Sequence, residues 1–263
     1  KRVVLLARQA SGIKIHRNIF LLVVLFYGLK ISGQQIDTDT LQTTKKQFTV
    51  KTLIVPTVLI GYGLIGLASN HLRDLDSEIS EEVTENIDDQ VSIDDFSQHL
   101  PALSVYGFNA FGIKGEHNFK DRTIILVTAY LIMGTSVISL KAVTNVQRPD
   151  GSTYDSFPSG HTATAFMGAE FLWQEYRDVS IWYGIGGYAV ATGTGIFRML
   201  NNRHWLSDVA MGAGIGILST KVAYWLHPFI QEKIFKGKKE KKGVSTIVPF
   251  YNGEQGGLAF SMT

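Results

Sequence analysis

The chain has 263 residues, 45% of them apolar, a formal net charge of +2 and no cysteine. The near-neutral balance gives no field for holding a polyanion such as nucleic acid, and the missing thiols exclude disulfides, zinc fingers, iron–sulfur centres and thiol catalysis. Mean hydropathy is +0.09, an average over polar and strongly apolar stretches, and the length suits one large domain or a small polytopic bundle.

Residues 1–34 read as a signal peptide or an N-terminal anchor. Lys1, Arg2, Arg8, Lys14 and Arg17 precede an apolar run of eleven, 19–29, which is shorter than the ~20 residues of a membrane span. A small, polar exit follows at Ser32, Gly33 and Gln34, without a clean A-x-A site. Export signals have this layout; a first membrane anchor is the other reading.

Residues 35–100 form a polar, acidic region with one apolar helix, 53–68. The one proline and three glycines of that helix suit close packing of helices in a membrane. Residues 72–95 carry ten acidic side chains and a single Arg. Ile79, Val83 and Ile87 recur every four positions, so an amphipathic helix is expected, with its acids as a solvated face.

Apolar segments dominate residues 101–228: 102–113, 123–140, 162–173, 181–197 and 209–226. Their Gly, Ala, Ser and Thr content is that of helices packed backbone to backbone. The expected fold is all-α: a bundle of five to six core helices, membrane-embedded, whose catalytic part is 101–228. The basic loops 114–122 and 233–242 belong in the cytoplasm. Loops 141–161 and 198–208 then share the outer face, with 72–95. A cleaved signal would leave 53–68 unable to cross outward again. So either 1–34 is an anchor or 53–68 lies along the bundle. Residues 229–263 are a basic segment and a tail. "STIVPFYNGEQGGLAFSMT" in that tail carries a hairpin signal, with disorder as the alternative.

The two outer loops hold the chemistry. The first contains Lys141 and, seven residues later, Arg148-Pro149; Pro149 disfavours helix at Arg148. "SFPSGHTATAF" (156–166) places Pro158, Ser159, Gly160 and His161 at the mouth of a small-residue helix. The second loop holds Arg198, then His204, then Asp208 four residues on, close enough on a helix for a carboxylate–imidazole bond. Three cations in one pocket suit a multiply charged anion, with Arg giving bidentate recognition of phosphate. A Ser-Gly at a helix start adds backbone donors and the positive end of the dipole. Two histidines suit a nucleophile and a general acid, and the carboxylate fixes the tautomer of one of them.

This arrangement resembles the type 2 phosphatidic acid phosphatase superfamily, which includes membrane lipid phosphatases, class A bacterial acid phosphatases and vanadium haloperoxidases. Its signatures K-x6-R-P, P-S-G-H and S-R-x5-H-x3-D occur in order, over about 101–228. They fall at Lys141 to Pro149, Pro158 to His161 and Arg198 to Asp208. The family's Ser before the third-motif Arg is Phe197 here, so somewhat altered phosphate binding is expected. Arg203 matches no family position.

The resemblance implies that His204 attacks phosphorus and becomes a phosphohistidine while Asp208 holds its ring. It implies that Lys141, Arg148 and Arg198 clamp the phosphoryl oxygens with Ser159 and Gly160. His161 then protonates the leaving oxygen and helps water hydrolyse the intermediate. It implies no cofactor and no metal, the cations taking the role metal ions have in other phosphatases.

The expected substrate is a phosphate monoester or diphosphate of a membrane lipid in the bacterial envelope, with the pocket facing the periplasm. An exported acid phosphatase for soluble esters is the alternative, and a vanadate-dependent haloperoxidase ranks below it. No obligate protein partner is evident. His16, His71, His99, His117 and His227 have no partner pattern and read as structural or solvent-facing.

Overall fold

The structure is a computed structural model that describes residues 50–84, 93–235, 245–251 and 256–262; the expected signal or anchor over 1–34 lies outside these residues. Among them are eight α-helices. A 3-10 turn, Val50–Leu53, leads into α1, Ile54–Ala68. Next come α2, Asn70–Thr84, the short α3, Ile93–Ser97, and α4, Leu100–Ala110. The long helices are α5, Phe119–Thr144, α6, Gly160–Tyr176, α7, Ile181–Leu200, and α8, Leu206–Ile230, which runs into a π turn at Gln231–Phe235. The tail forms the hairpin: β1, Ser245–Tyr251, pairs antiparallel with β2, Gly256–Met262.

The fold is an all-α bundle with α6 at its centre, where Ala163, Ala165, Met167, Ala169 and Phe171 are fully buried. α6 packs on α8, α7 and α4, and α1 packs on α8. Small residues make those approaches possible. A Cβ added at Gly216 would lie 2.3 Å from the Ala163 carbonyl, and one at Gly212 would lie 2.4 Å from the Ser159 carbonyl. A Cβ at Gly214 would lie 2.9 Å from the Pro56 carbonyl of α1. The backbones touch there, as in helices that associate without a solvent-driven hydrophobic force.

Among the described residues three helical stretches are long and apolar enough to cross a membrane: Val50–Ala68, Phe119–Thr144 and Leu206–Lys233. Large apolar side chains face outward along the bundle, among them Val58 and Leu64 on α1, Val127, Leu131 and Ile138 on α5, and Ile181, Trp182 and Ile185 on α7. A bundle apolar outside as well as inside is one built for lipid.

The helix ends set the geometry of the two poles. Asn118 caps α5 by accepting from the Asp121 amide, and Asn145 stops it in a left-handed turn at φ 49°. Ser159 caps α6 and accepts from the Thr162 amide. At the pole opposite Ser159, His117 Nδ1 lies 2.8 Å from Glu175, which also accepts from Tyr224, and His227 pairs with Asp121 at 3.5 Å. His117 and His227 therefore have partners there that spacing did not reveal. The basic loop 114–122 lies at this pole, about 25 Å along α6 from its cap.

Candidate active site

The eight candidate site residues of the three motifs converge at the Ser159 pole. Lys141 sits on the last turn of α5, so the helix ends only at Thr144. Arg148 lies beyond, in the loop, and the two cations do not share a helical face. The loop turns back and brings Asp155 to both of them. Arg148 donates to Asp155 through Nε at 3.0 Å and Nη2 at 3.2 Å. Lys141 donates to the Asp155 backbone carbonyl and lies 4.0 Å from its carboxylate. The Thr153 hydroxyl and the Arg148 guanidinium hold the Asp155 carboxyl down at about 2, against partial burial, so it is ionised at any working pH.

Ser156 to His161 forms the next wall. The Phe157–Pro158 peptide is cis. The Ser159 amide donates to the Asp208 carbonyl at 3.1 Å, which ties the start of α6 to the start of α8. An added Cβ at Gly160 would meet only Val137, at 3.9 Å, so no protein neighbour demands a glycine there. His161, in the first turn of α6, places Nε2 2.8 Å from Asp95.

His204 precedes α8 and is 2% exposed. Its Nδ1 faces Asp208 Oδ2 at 3.4 Å, and the Ser156 hydroxyl also at 3.4 Å. The same Asp208 oxygen accepts from the Trp205 amide at 3.0 Å and from Ser156. Asp208 thus anchors the helix start and orients the imidazole at once. Burial is the main cause that lowers the His204 pKa to about 4, with Arg198 and Lys141 acting in the same direction and Asp208 opposing. The ring is neutral at physiological pH, the form a nucleophile needs.

Arg198 is 8% exposed and donates through Nη1 to Asp94 at 2.5 Å. Asp94 is 1% exposed and also accepts from Asn201 at 3.1 Å. Arg198 Nε is buried with no hydrogen-bond partner among the described residues, a donor available to an anion. Arg203 pairs with Asp150 at 3.0 Å.

The reading of 72–95 as a solvated face is corrected at two acids, Asp94 and Asp76. Asp94 is buried in the pocket on α3, whereas Asp95 beside it stays exposed while it reaches His161. Asp76, on α2, is 5% exposed, accepts from the Ser207 hydroxyl, and lines with Asp208 a cavity of about 400 Å³. Packing of α3 on α7 and of α2 on α8 is the reason. Those acids carried no local mark of burial, and neither did Asp155 or Ser156.

A family model described as "PAP2 superfamily" matches residues 122–232. Lys141, Arg148, Ser159, Gly160, His161, Arg198, His204 and Asp208 all lie within the PAP2 match, whereas Asp94 and Asp95 lie upstream of it. The chain is 41% identical over 139 residues to a lipid A 1-phosphatase of Porphyromonas gingivalis, covering 52% of this chain and 31% of the relative. It therefore spans about a third of the length of that curated relative. Among solved structures it is similar to Aquifex aeolicus LpxE, at 24% identity and TM-score 0.43, covering 56% of this chain and 93% of that one. A PAP2-type phosphatidylglycerolphosphate phosphatase from Bacillus subtilis is similar at 22% identity and TM-score 0.43, covering 70% of this chain and 99% of that one.

Proposed function

We propose that the protein is a membrane-embedded phosphatase that hydrolyses a phosphate ester of an envelope lipid through a phosphohistidine at His204. The observation that carries this reading is the convergence of Lys141, Arg148 and Arg198 with a neutral, carboxylate-held His204 at one pole of an apolar-faced bundle. The lipid A 1-phosphatase relative makes a phosphorylated lipid A headgroup the first substrate to test. Phosphatidylglycerol phosphate, phosphatidic acid and undecaprenyl diphosphate follow. The outward apolar belt favours lipid esters over soluble ones.

In the proposed reaction the phosphate displaces Asp155 from Lys141 and Arg148 and takes the free Arg198 Nε. The Ser159 hydroxyl and the amides at the start of α6 complete the cradle. His204 attacks phosphorus in line, the P–O bond to the lipid breaks, and His161 gives its proton to the leaving oxygen. Water, deprotonated by His161, then cleaves the P–N bond and releases phosphate. Asp208, held against the ring, stabilises the imidazolium that forms.

The basic loop 114–122 lies at the pole opposite the pocket, so basic-inside placement turns the pocket to the periplasm. The test is phosphate release from that lipid panel in detergent, wild type against His204→Ala. The variant is expected to lose at least a thousandfold. Comparable release by both would remove the nucleophile assignment, and no release from any lipid would remove the lipid reading.

A further inference from the structure

The two histidines of the pocket live in opposite environments. His204 has a side chain 2% exposed and its carboxylate on Nδ1. His161 has a side chain 29% exposed and a carboxylate on Nε2, at 2.8 Å, from Asp95. A general acid must hold its proton until the leaving oxygen arrives, and most of what surrounds His161 works against that. It sits in the first turn of α6, at the positive end of the helix dipole. Arg198 from α7 faces it, and Lys141 at the end of α5 and Arg148 share the pocket. The groups that favour its cationic form are Asp94 and Asp95, both from α3. Asp155 serves Lys141 and Arg148, Asp208 is taken up by His204, Ser156 and the Trp205 amide, and α4 carries no charged residue. Asp94 is already engaged by Arg198 and Asn201, so Asp95 is the carboxylate left to His161.

We propose that Asp95 is a positioning residue for the reaction: from α3 it holds the His161 ring by Nε2 and keeps it loaded with the proton that the leaving oxygen takes. This rests on the phosphatase reading above, in which His161 is the general acid. The Asp95 side chain is 56% exposed, so it can swing aside at little cost and leave the Nε2–H to the arriving oxygen. Burial and Arg198 lower the proton affinity of His161, and Asp95 opposes both. The residue lies upstream of the family match, so the device belongs to the way this chain brings α3 to the pocket.

The test follows His161 directly. Full-length protein labelled with 15N-histidine is titrated by NMR in detergent, as wild type, Asp95→Asn and Asp95→Glu, with His161→Gln to assign the resonance. In Asp95→Asn the His161 titration should move to lower pH while that of His204 stays. In Asp95→Glu it should return toward wild type.

The alkaline limb of kcat/KM, which reports the free enzyme, should move with it. The ratio of rates at pH 8 and pH 6 should then fall about threefold or more in Asp95→Asn. An unmoved His161 titration overturns the proposal whatever the activity. A titration that moves while the limb stays shows that His161 does not donate the proton, which overturns the general-acid reading and Asp95's role with it. If the wild type hydrolyses no phosphate ester, the phosphatase reading falls separately, and the titration alone decides the Asp95 contact.

Discussion

Asp94 and Arg198 meet at 2.5 Å across 104 positions of sequence, the carboxylate 1% and the guanidinium-bearing residue 8% exposed. A buried pair of this kind contributes little net stability compared with an apolar pair, but removing one partner strands the other charge away from water. Asp94→Ala should therefore cost on the order of 3–5 kcal/mol, seen as a lowered melting temperature in detergent. It should also raise KM for a phosphate ester more than it lowers kcat, because Arg198 loses the support that aims its free Nε. Asp94→Asn keeps an acceptor for Arg198 and should be milder on both counts. Equal, small effects of the two variants would show that the pair does not organise Arg198.

That pair marks the boundary of what the sequence discloses. Lys141, Arg148, His161, Arg198, His204 and Asp208 stand out because residue types that suit phosphate recur at fixed separations on loops that helix counting puts at one pole. Asp94 has no such mark. It is one of ten acids in 72–95, and its burial comes from the packing of α3 on α7, a tertiary fact with no local pattern. α1 and α4 to α8 were legible from their apolar runs, but their ends were not, and the short α3 begins as a separate helix inside the stretch 72–95 that read as a single amphipathic one. α5 reaches from Phe119 to Thr144, beyond the run 123–140, because capping at Asn118 and the left-handed Asn145 set its limits. The close backbone contacts at Gly212 and Gly216 were legible as a composition, and only the structure names the carbonyls they touch.

Ser156 is fully buried; its hydroxyl donates to Asp208 and lies 3.4 Å from His204 Nδ1. Ser156→Ala removes one of the donors that fix the Asp208 carboxylate, so the imidazole loses part of its alignment. The expected result is a kcat about tenfold lower with KM within about twofold, the pattern of an interaction that matters to the transition state more than to binding. Steady-state kinetics on any accepted lipid phosphate checks it. A change confined to KM would place Ser156 in substrate binding instead.

The depressed proton affinity of His204 fixes a direction for pH dependence. Its folded pKa, about 4, lies below the ordinary 6.5, so the unfolded chain takes up the proton first as pH falls. The stability linked to a neutral His204 is complete above 6.5 and is lost as pH falls from 6.5 toward 4, by roughly 3 kcal/mol. On the proposed mechanism activity should hold through the same window, since the folded imidazole stays neutral, and fall only as pH approaches 4. His204→Gln cannot take up a proton. Melting curves between pH 7 and 4.5 should therefore show a shallower decline for the variant than for wild type. Parallel declines would mean that other groups carry the acid sensitivity.

Two glycines on facing helices separate packing from binding. A Cβ at Gly212 would stand 2.4 Å from the Ser159 carbonyl and 3.3 Å from the Ala163 amide, and backbone on both sides leaves nothing soft to yield. Gly212→Ala should push the start of α6 away from α8, cost about 1–3 kcal/mol, and disturb Ser159 and His161 together, so that stability and kcat fall in step. Gly160 is different, since an added Cβ there meets only Val137 Cγ1 at 3.9 Å. Gly160→Ala should leave the melting temperature unchanged or raise it slightly, as alanine does at helical positions free of strain. The same methyl would face the phosphoryl oxygens against the amides of α6, and KM for the phosphate ester should rise about tenfold. Measuring melting temperature and KM for both variants gives opposite orders of severity if the pocket holds phosphate at Gly160. A Gly160→Ala protein with wild-type KM would move the phosphate seat elsewhere along the pole.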